Sequence, residues 1–548
     1  MSASGTPGTW PGPWPDPAID AASGALDGLR VLVVGAGRSG LAAARALLAQ
    51  GAVVTVSATE DPAVSAAAAA AESGLAALGA RTAFGPRSPA VPPPGTQLLV
   101  TSPGVPPRAP LLAAAAAAGT PVWGEVELAW RLRPLRAAGG GPAPWLGVTG
   151  TNGKTTTTQL LERMLAAAGR RVVAAGNVGT PLVEVVTAPD APELDVLAVE
   201  LSSFQLHGTT TLALDAAVVL NLAADHLDWH AGPDAYAAAK ARVYDRVRVA
   251  AVHNADDPAT AALLARAAPG PAAVVVATTL GVPAAGQLGL VDDLLVDRAF
   301  SHRGHGDVPG EGTVLASLAD LAGLAGPADP ADPAGPADPP GPADTDGHPG
   351  GPPPHLVADA LAAAALARSA GVPATAVAAG LRGSVLGPHR MATVAVHDGV
   401  RWVDDSKATN PHAAAASLAG SATVVWIAGG LAKGASYEDL VRSVRGRLRG
   451  VVLLGRDRGL VADALARHAP WIPVRDTGAA ETGAMTRVVA AAAELARPGD
   501  TVLLAPAAAS HDQFTDYAHR GNAFAAEVRA RVGRRGAATT ADAPAGSR

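Results

Sequence analysis

The stretch Trp145–Thr156 constrains this chain most. A short apolar run, W-L-G-V-T, passes straight into T-G-T-N-G-K-T-T and then into a helical pattern. Backbone N–H groups of a Gly-rich loop between a strand and a helix cradle phosphates. A lysine there reaches the terminal phosphates, and a hydroxyl in the first helical turn holds Mg²⁺. On this reading Gly150, Thr151, Asn152, Gly153, Lys154, Thr155 and Thr156 bind a nucleotide triphosphate. Val148 stands where the first Gly of the full P-loop pattern belongs, so the match is partial. A ligand-free strand–helix turn is the bland alternative, and it leaves Lys154 and the paired threonines unexplained.

Such a loop needs a parallel α/β sheet behind it, and the sequence supplies more than one. At 548 residues the chain exceeds a single core. Arg30–Val34 reads as a buried strand, followed by G-A-G-R-S-G, an Ala/Leu helix to about Gln50 and a second strand at Ala52–Val56. After the Gly/Pro linker at Gly139–Pro144, strands near Asp195–Glu200 and Ala216–Asn221 alternate with helices. A third unit has strands near Thr423–Ala428, Val451–Leu454 and Thr501–Ala505. The Pro/Ala/Asp/Gly tract at 326–354 reads as a disordered insertion, and residues 1–28 and 533–548 as disordered tails.

Composition closes off several functions. There is no cysteine, which excludes disulfides, thiolate metal sites and cysteine nucleophiles. A net charge of −6 without a basic block argues against nucleic-acid partners. No apolar run is long and continuous enough to insert in a membrane, and a cytoplasmic protein is expected. Positive charge is carried almost wholly by arginine: the lysines are Lys154, Lys240, Lys407 and Lys433. Each lies in or beside a motif, where a compact or nucleophilic amine is not replaceable by a guanidinium.

The first turn, G-A-G-R-S-G, fits a dinucleotide fingerprint, but the acidic residue expected after the second strand is absent. Ser57 and Ala58 stand there, with Glu60 and Asp61 beyond. It reads equally as a helix N-terminus for another phosphate, such as a UDP pyrophosphate, or as a tight turn without a ligand.

Further motifs follow the phosphate loop. They are G-N-V-G at 176–179, E-L-S-S-F-Q at 200–205, N-L-A-A-D-H-L-D at 221–228, Lys240 in Y-A-A-A-K and G-P-H-R at 387–390. Later come D-D-S-K-A-T-N at 404–410, G-G-L-A-K-G at 429–434 and A-P-A-A-A-S-H-D-Q-F at 505–514, with Tyr517 and R-G-N at 520–522. Alone, His226 is an ordinary hydrogen-bonded histidine and Lys240 a surface charge. Together with G-T-N-G-K-T-T they resemble the Mur ligase family over about Leu29 to Val532.

That resemblance implies an α/β protein of three domains. Residues 29–140 form a Rossmann-like UDP-binding domain, 141–390 a central P-loop-type ATPase on a parallel sheet, and 391–532 a Rossmann-like amino-acid-binding domain. It implies an ATP-dependent ligase that works as a monomer. D-D-S-K-A-T-N and S-x-D-Q-F point to the member adding D-glutamate to UDP-N-acetylmuramoyl-L-alanine through an acyl phosphate. By the same resemblance Thr155, Glu200, His226 and a carbamylated Lys240 hold Mg²⁺ at two sites. Lys154, His226, Lys240 and Arg390 are catalytic, and Asp359, Arg390 and Asp405 join the ATP site. Gly37, Arg38, Ser39, Ser102, Pro103, Gly104 and Asn177 bind the UDP substrate. Lys407, Thr409, Lys433, Ser510, His511 and Tyr517 surround D-glutamate. The family pattern breaks at three points: the uracil-side acid is missing, Ala505 replaces a Ser, and the adenine motif H-N-x-x-N-A-L reads H-L-V-A-D-A-L, with Leu356 and Asp359 in place of both asparagines.

Overall fold

Strand order decides where the motifs meet. In the computed structural model, residues 25–300, 312–325, 352–385 and 387–541 are described. Most of the expected 326–354 insertion and of the 1–28 tail lies outside them.

The first sheet is parallel throughout, in the order β3-β2-β1-β4-β5. Its strands are β1 Arg30–Val34, β2 Val53–Ala58, β3 Arg81–Phe84, β4 Leu98–Thr101 and β5 Val122–Gly124. The order reverses between β1 and β4, which is where such sheets open a crevice for ligands. Leu26 is fully buried in this core and Gly28 N–H donates to Gly51 O. The folded part therefore begins before Leu29, a correction to the expected tail: an apolar side chain just ahead of β1 has a core to enter.

The second sheet has nine strands among the described residues, in the order β14-β13-β12-β11-β10-β9-β6-β8-β7. They are β6 Trp145–Thr149, β7 Val172–Gly176, β8 Val196–Glu200, β9 Ala216–Val219, β10 Ala250–Asn254, β11 Val274–Thr278, β12 Gln287–Val291, β13 Leu294–Asp297 and β14 Thr313–Ser317. Strands β6 to β12 run parallel, and β13 and β14 antiparallel. The parallel strands are near-continuous Ala/Val/Leu runs, as burial on both faces requires.

Among the described residues these two sheets belong to one compact unit, covering 25–222, 227–300, 312–317 and 358–381; a second unit holds 223–226, 318–325, 352–357, 382–385 and 387–541. Helix Glu125–Arg131 joins the first two sheets. Glu127, fully buried, accepts from Thr210 N at 2.8 Å and Thr211 N at 3.1 Å and pairs with Arg131 at 2.8 Å.

The second unit is built on the sheet β15-β16-β20-β17-β18-β19. Its strands are β15 Ala392–His397, β16 Val400–Asp404, β17 Val424–Gly429, β18 Leu448–Leu454, β19 Val474–Asp476 and β20 Thr501–Leu504. All but β15 are parallel. The last helix spans Tyr517–Ala541 and so carries on past Val532, the expected end of the domain. The segment after Val532 contains Ala and Arg, both good helix formers, among its two glycines.

Candidate active site

Strand β6 lies between β8 and β9, with Val148 paired to Glu200 and Thr149 to Val219. The Gly150–Thr156 loop thus leaves the sheet between two strand ends, one carrying Glu200 and the other Asn221. Asn221 Oδ1 accepts from Asn152 N at 2.9 Å, and Thr151 N donates to Asn221 O at 3.1 Å. Thr151 Oγ1 and Tyr236 OH are 2.9 Å apart. Gly153 has φ +83°, a left-handed value that favours glycine. A Cβ there would come within 2.1 Å of Asp359 Oδ1, so Asp359, buried, closes over the loop.

Lys154 opens helix Lys154–Ala167. Its ammonium donates to Gly150 O at 3.0 Å and Thr151 O at 2.8 Å. Lys240, on helix Pro233–Ala241, is 2% exposed and donates to the same Gly150 carbonyl at 2.7 Å. Its ammonium also lies 4.9 Å from the centroid of the Tyr236 ring.

Glu200 is 1% exposed. Its Oε1 accepts from Asn177 Nδ2 at 2.7 Å, and its Oε2 is buried without a hydrogen-bond partner. A buried carboxylate oxygen with no donor is costly unless a cation meets it. Glu200 and the Thr155 hydroxyl are oxygen donors of the kind a hard cation takes along with nucleotide phosphates. Among the described residues no group of three or more His, Asp or Glu side chains is placed to hold a metal alone. His226 falls in the second unit, with φ 52° and its Nε2 at 3.5 Å from Asp225.

In the first sheet the Gly35–Gly40 turn faces Ser102. A Cβ on Gly35 would meet Ser102 Oγ at 2.7 Å, and one on Gly40 would meet Gly35 O at 1.9 Å. Both glycines are there for close backbone approach. Gly37 and Arg38 are exposed and Ser39 half-buried at the start of helix Arg38–Ala49; Ser102 and Pro103 are half-buried and Gly104 exposed across the crevice. Arg38 donates to Gly179 O, beside Asn177.

In the second unit, β16, β20 and β17 are neighbours, so D-D-S-K-A-T-N, A-P-A-A-A-S and G-G-L-A-K share one carboxyl edge. Ala507 N donates to Ala408 O at 2.9 Å and Gly429 N to Pro506 O at 2.8 Å. The Lys407 ammonium sits 3.8 Å from the Tyr517 ring centroid. Thr409 is half-buried beside it, and Ser510 is buried. Lys433 is exposed with φ 49°, and exposed His511 is tied by Nδ1 to Thr515 O at 2.8 Å. Burial pushes the Asp405 carboxyl up to about 6, against hydrogen bonds from Ser417 and Met391 N and the nearby Arg390 charge.

Two residues that lay inside quoted motifs without a role of their own turn out to be supporting groups. Arg520, 1% exposed, donates to Ser406 Oγ at 3.0 Å, Ser406 O at 2.9 Å and Ala508 O at 3.1 Å, stitching two motifs together. Its signal was the R-G after D-Q-F. His389 Nδ1 lies 2.7 Å from Asp404 Oδ2, both buried. Leu356 of the H-L-V-A-D-A-L segment is also buried.

Three family models match this chain. That of the MurD-like N-terminal domain covers residues 29–124, that of the Mur ligase middle domain 148–283, and that of the Mur ligase glutamate ligase domain 389–508. The chain belongs to the Mur ligase family. It is 53% identical to the UDP-N-acetylmuramoylalanine–D-glutamate ligase of Thermobifida fusca, over 93% of this chain and 100% of that protein. It is 48% identical to the protein of the same name from Mycolicibacterium smegmatis, over 92% and 97%. The solved structure of MurF from Acinetobacter baumannii shares the fold, with a TM-score of 0.51 at 17% identity over 79% of this chain and 85% of that one.

Proposed function

We propose that this chain is a UDP-N-acetylmuramoyl-L-alanine:D-glutamate ligase, driven by ATP. The near end-to-end likeness to proteins of that name carries the reading. The phosphate loop, with two lysines on the Gly150 carbonyl beside Glu200, supports it. We assign residues 29–140 to the UDP substrate, 141–390 to ATP and 391–532 to D-glutamate, and we propose that the enzyme acts as a cytoplasmic monomer.

Joining a carboxylate to an amine in water needs activation. The L-alanyl carboxylate attacks the γ-phosphorus of ATP, the bond to ADP breaks, and an acyl phosphate results. The D-glutamate amine attacks its carbonyl, and the tetrahedral intermediate expels phosphate. Loop N–H groups and Lys154 position the phosphates and offset their charge, which is most of what phosphoryl transfer asks of a protein. Thr155, Glu200, His226 and a carbamylated Lys240 would hold Mg²⁺ at two sites, and the metal would supply charge neutralisation at the phosphates. Carbamylation turns an ammonium into an anionic oxygen donor, which arginine cannot become. Gly37, Arg38, Ser39, Ser102, Pro103, Gly104 and Asn177 hold the UDP substrate. Asp359, Arg390 and Asp405 complete the ATP site. Lys407, Thr409, Lys433, Ser510, His511 and Tyr517 meet the two carboxylates of D-glutamate. Phosphate release dependent on D-glutamate tests the reading; none from folded protein, with either glutamate enantiomer, contradicts it.

A further inference from the structure

We propose that Glu125 is a positioning residue for this ligase: it tethers the turn at 176–183 and, through Asn177 on that turn, fixes the Glu200 carboxylate. The inference rests on the functional reading above.

Glu125 begins helix Glu125–Arg131 and is 2% exposed. Its Oε1 accepts from Val183 N at 2.7 Å. Val183 lies in the first turn of helix Leu182–Thr187, whose N-cap is Pro181 and whose own sequence gives no capping side chain. First-turn N–H groups have no partner within a helix. Glu125 supplies one from a distant element, acting as a cap in trans. Arg38 grips the same turn at Gly179 O.

The other side of the turn rests on Glu200. Asn177 N donates to Glu200 O at 2.9 Å and Asn177 Nδ2 to Glu200 Oε1 at 2.7 Å. Gly176 has φ +111°, and a Cβ there would sit 2.3 Å from Glu200 O. The turn is thus clamped between Glu125 and Arg38 on one side and the proposed metal carboxylate on the other.

Glu125 Oε2 is buried without a protein partner. Glu125 also lines a small cavity of about 10 Å³ with Ser102, Pro103, Phe204, Gln205 and Trp229. That is room for one water molecule, enough to take the second oxygen's hydrogen bond. Burial pushes the Glu125 carboxyl up to about 7, with repulsion from Glu184 adding to it. The other ionisable groups on elements packed around it are Arg38 and Arg45 of helix Arg38–Ala49, His207, held neutral by burial, and Glu127 and Arg131, paired with each other. Arg45 lies 3.7 Å from Glu184. A neutral carboxyl would suit both of its oxygens, accepting from Val183 N and donating to a water in that cavity. An ionised one, raised above the ordinary value of 4.5, destabilises the junction increasingly from there through about 7 and by a constant amount above.

The test compares wild type, Glu125→Ala and Glu125→Gln in full-length protein. The Mg²⁺ requirement of ligation and the amide-exchange protection of residues 176–187 are followed from about pH 6 to about pH 8. Glu125→Ala is expected to raise the Mg²⁺ requirement about tenfold, the size of an orienting contact to a metal ligand, and to lose protection. Glu125→Gln keeps both and removes the rise that wild type shows towards alkaline pH. Wild-type values in Glu125→Ala overturn the proposal, as does a Glu125→Gln that matches the alanine variant. Should Glu125→Ala not fold, parallel pH profiles for wild type and Glu125→Gln overturn it. If wild type releases no phosphate with D-glutamate, the functional reading fails, while amide exchange still decides the tether.

Discussion

Lys240 and Lys154 donate to one acceptor, the carbonyl oxygen of Gly150, at 2.7 and 3.0 Å. Two ammonium groups on one carbonyl repel each other in a site that Lys240 enters almost completely buried. Converting Lys240 to a carbamate removes that repulsion and places an anion next to Lys154. We predict that Lys240→Arg, which keeps charge but cannot be carbamylated, loses activity as fully as Lys240→Ala. Stripping CO₂ from the buffer should lower wild-type activity, and added bicarbonate should restore it. Lys240→Arg with near wild-type turnover contradicts this.

Asn177→Ala takes away the hydrogen bond to Glu200 Oε1, leaving a buried carboxylate with both oxygens free of side-chain donors. The expected result is a Mg²⁺ requirement raised about 10-fold or more, with kcat at saturating Mg²⁺ changed less. A Mg²⁺ titration of phosphate release checks it.

Gly153→Ala meets two obstacles, φ +83° and Asp359 Oδ1 at 2.1 Å from the new Cβ. Left-handed backbone alone costs about 1–2 kcal/mol for a residue with a Cβ. ATP binding should weaken about tenfold or more, and Asp359→Ala in the same chain should restore only part, because the backbone strain remains. Calorimetric titration with a non-hydrolysable ATP analogue measures both.

Asp405 gives a pH signature. Its folded value of about 6 lies above the ordinary 3.8, so the protonated form is favoured on folding. Stability is then lost as pH rises from about 4 to about 6 and is level beyond. Asp405→Asn should match wild type near pH 4 and be more stable at neutral pH, by at most about 3 kcal/mol, while ATP binding weakens. Thermal unfolding across that range reads the difference; an equal offset at every pH contradicts the assignment.

The phosphate loop was legible because its chemistry is local. Gly150 and Gly153 take backbone angles that favour glycine, and Lys154 sits one helical turn from the carbonyls it meets. The scarcity of lysine in an arginine-rich chain made Lys240, Lys407 and Lys433 stand out before any contact was known. Strand boundaries such as Arg30–Val34 and Ala216–Val219 could be read to within a residue or two, because continuous Ala/Val/Leu runs bound by Gly, Asp and Asn admit little else. What the sequence hid depends on strand order. Glu125 reaches Val183 only because helix Glu125–Arg131 packs on the turn after β7, and Arg520 joins Ser406 to Ala508 only because β16 neighbours β20. The split into two compact units, with the first two sheets sharing one, follows from buried pairs such as Glu127 with Thr210, which no local pattern announces.

The most direct measurement is phosphate release from ATP with Mg²⁺ and UDP-N-acetylmuramoyl-L-alanine, with D-glutamate, L-glutamate or L-alanine as acceptor, in wild type and Lys154→Ala. Release that requires D-glutamate and vanishes in the variant is the expected result. Release with L-alanine instead, or none with any acceptor from folded protein, contradicts it.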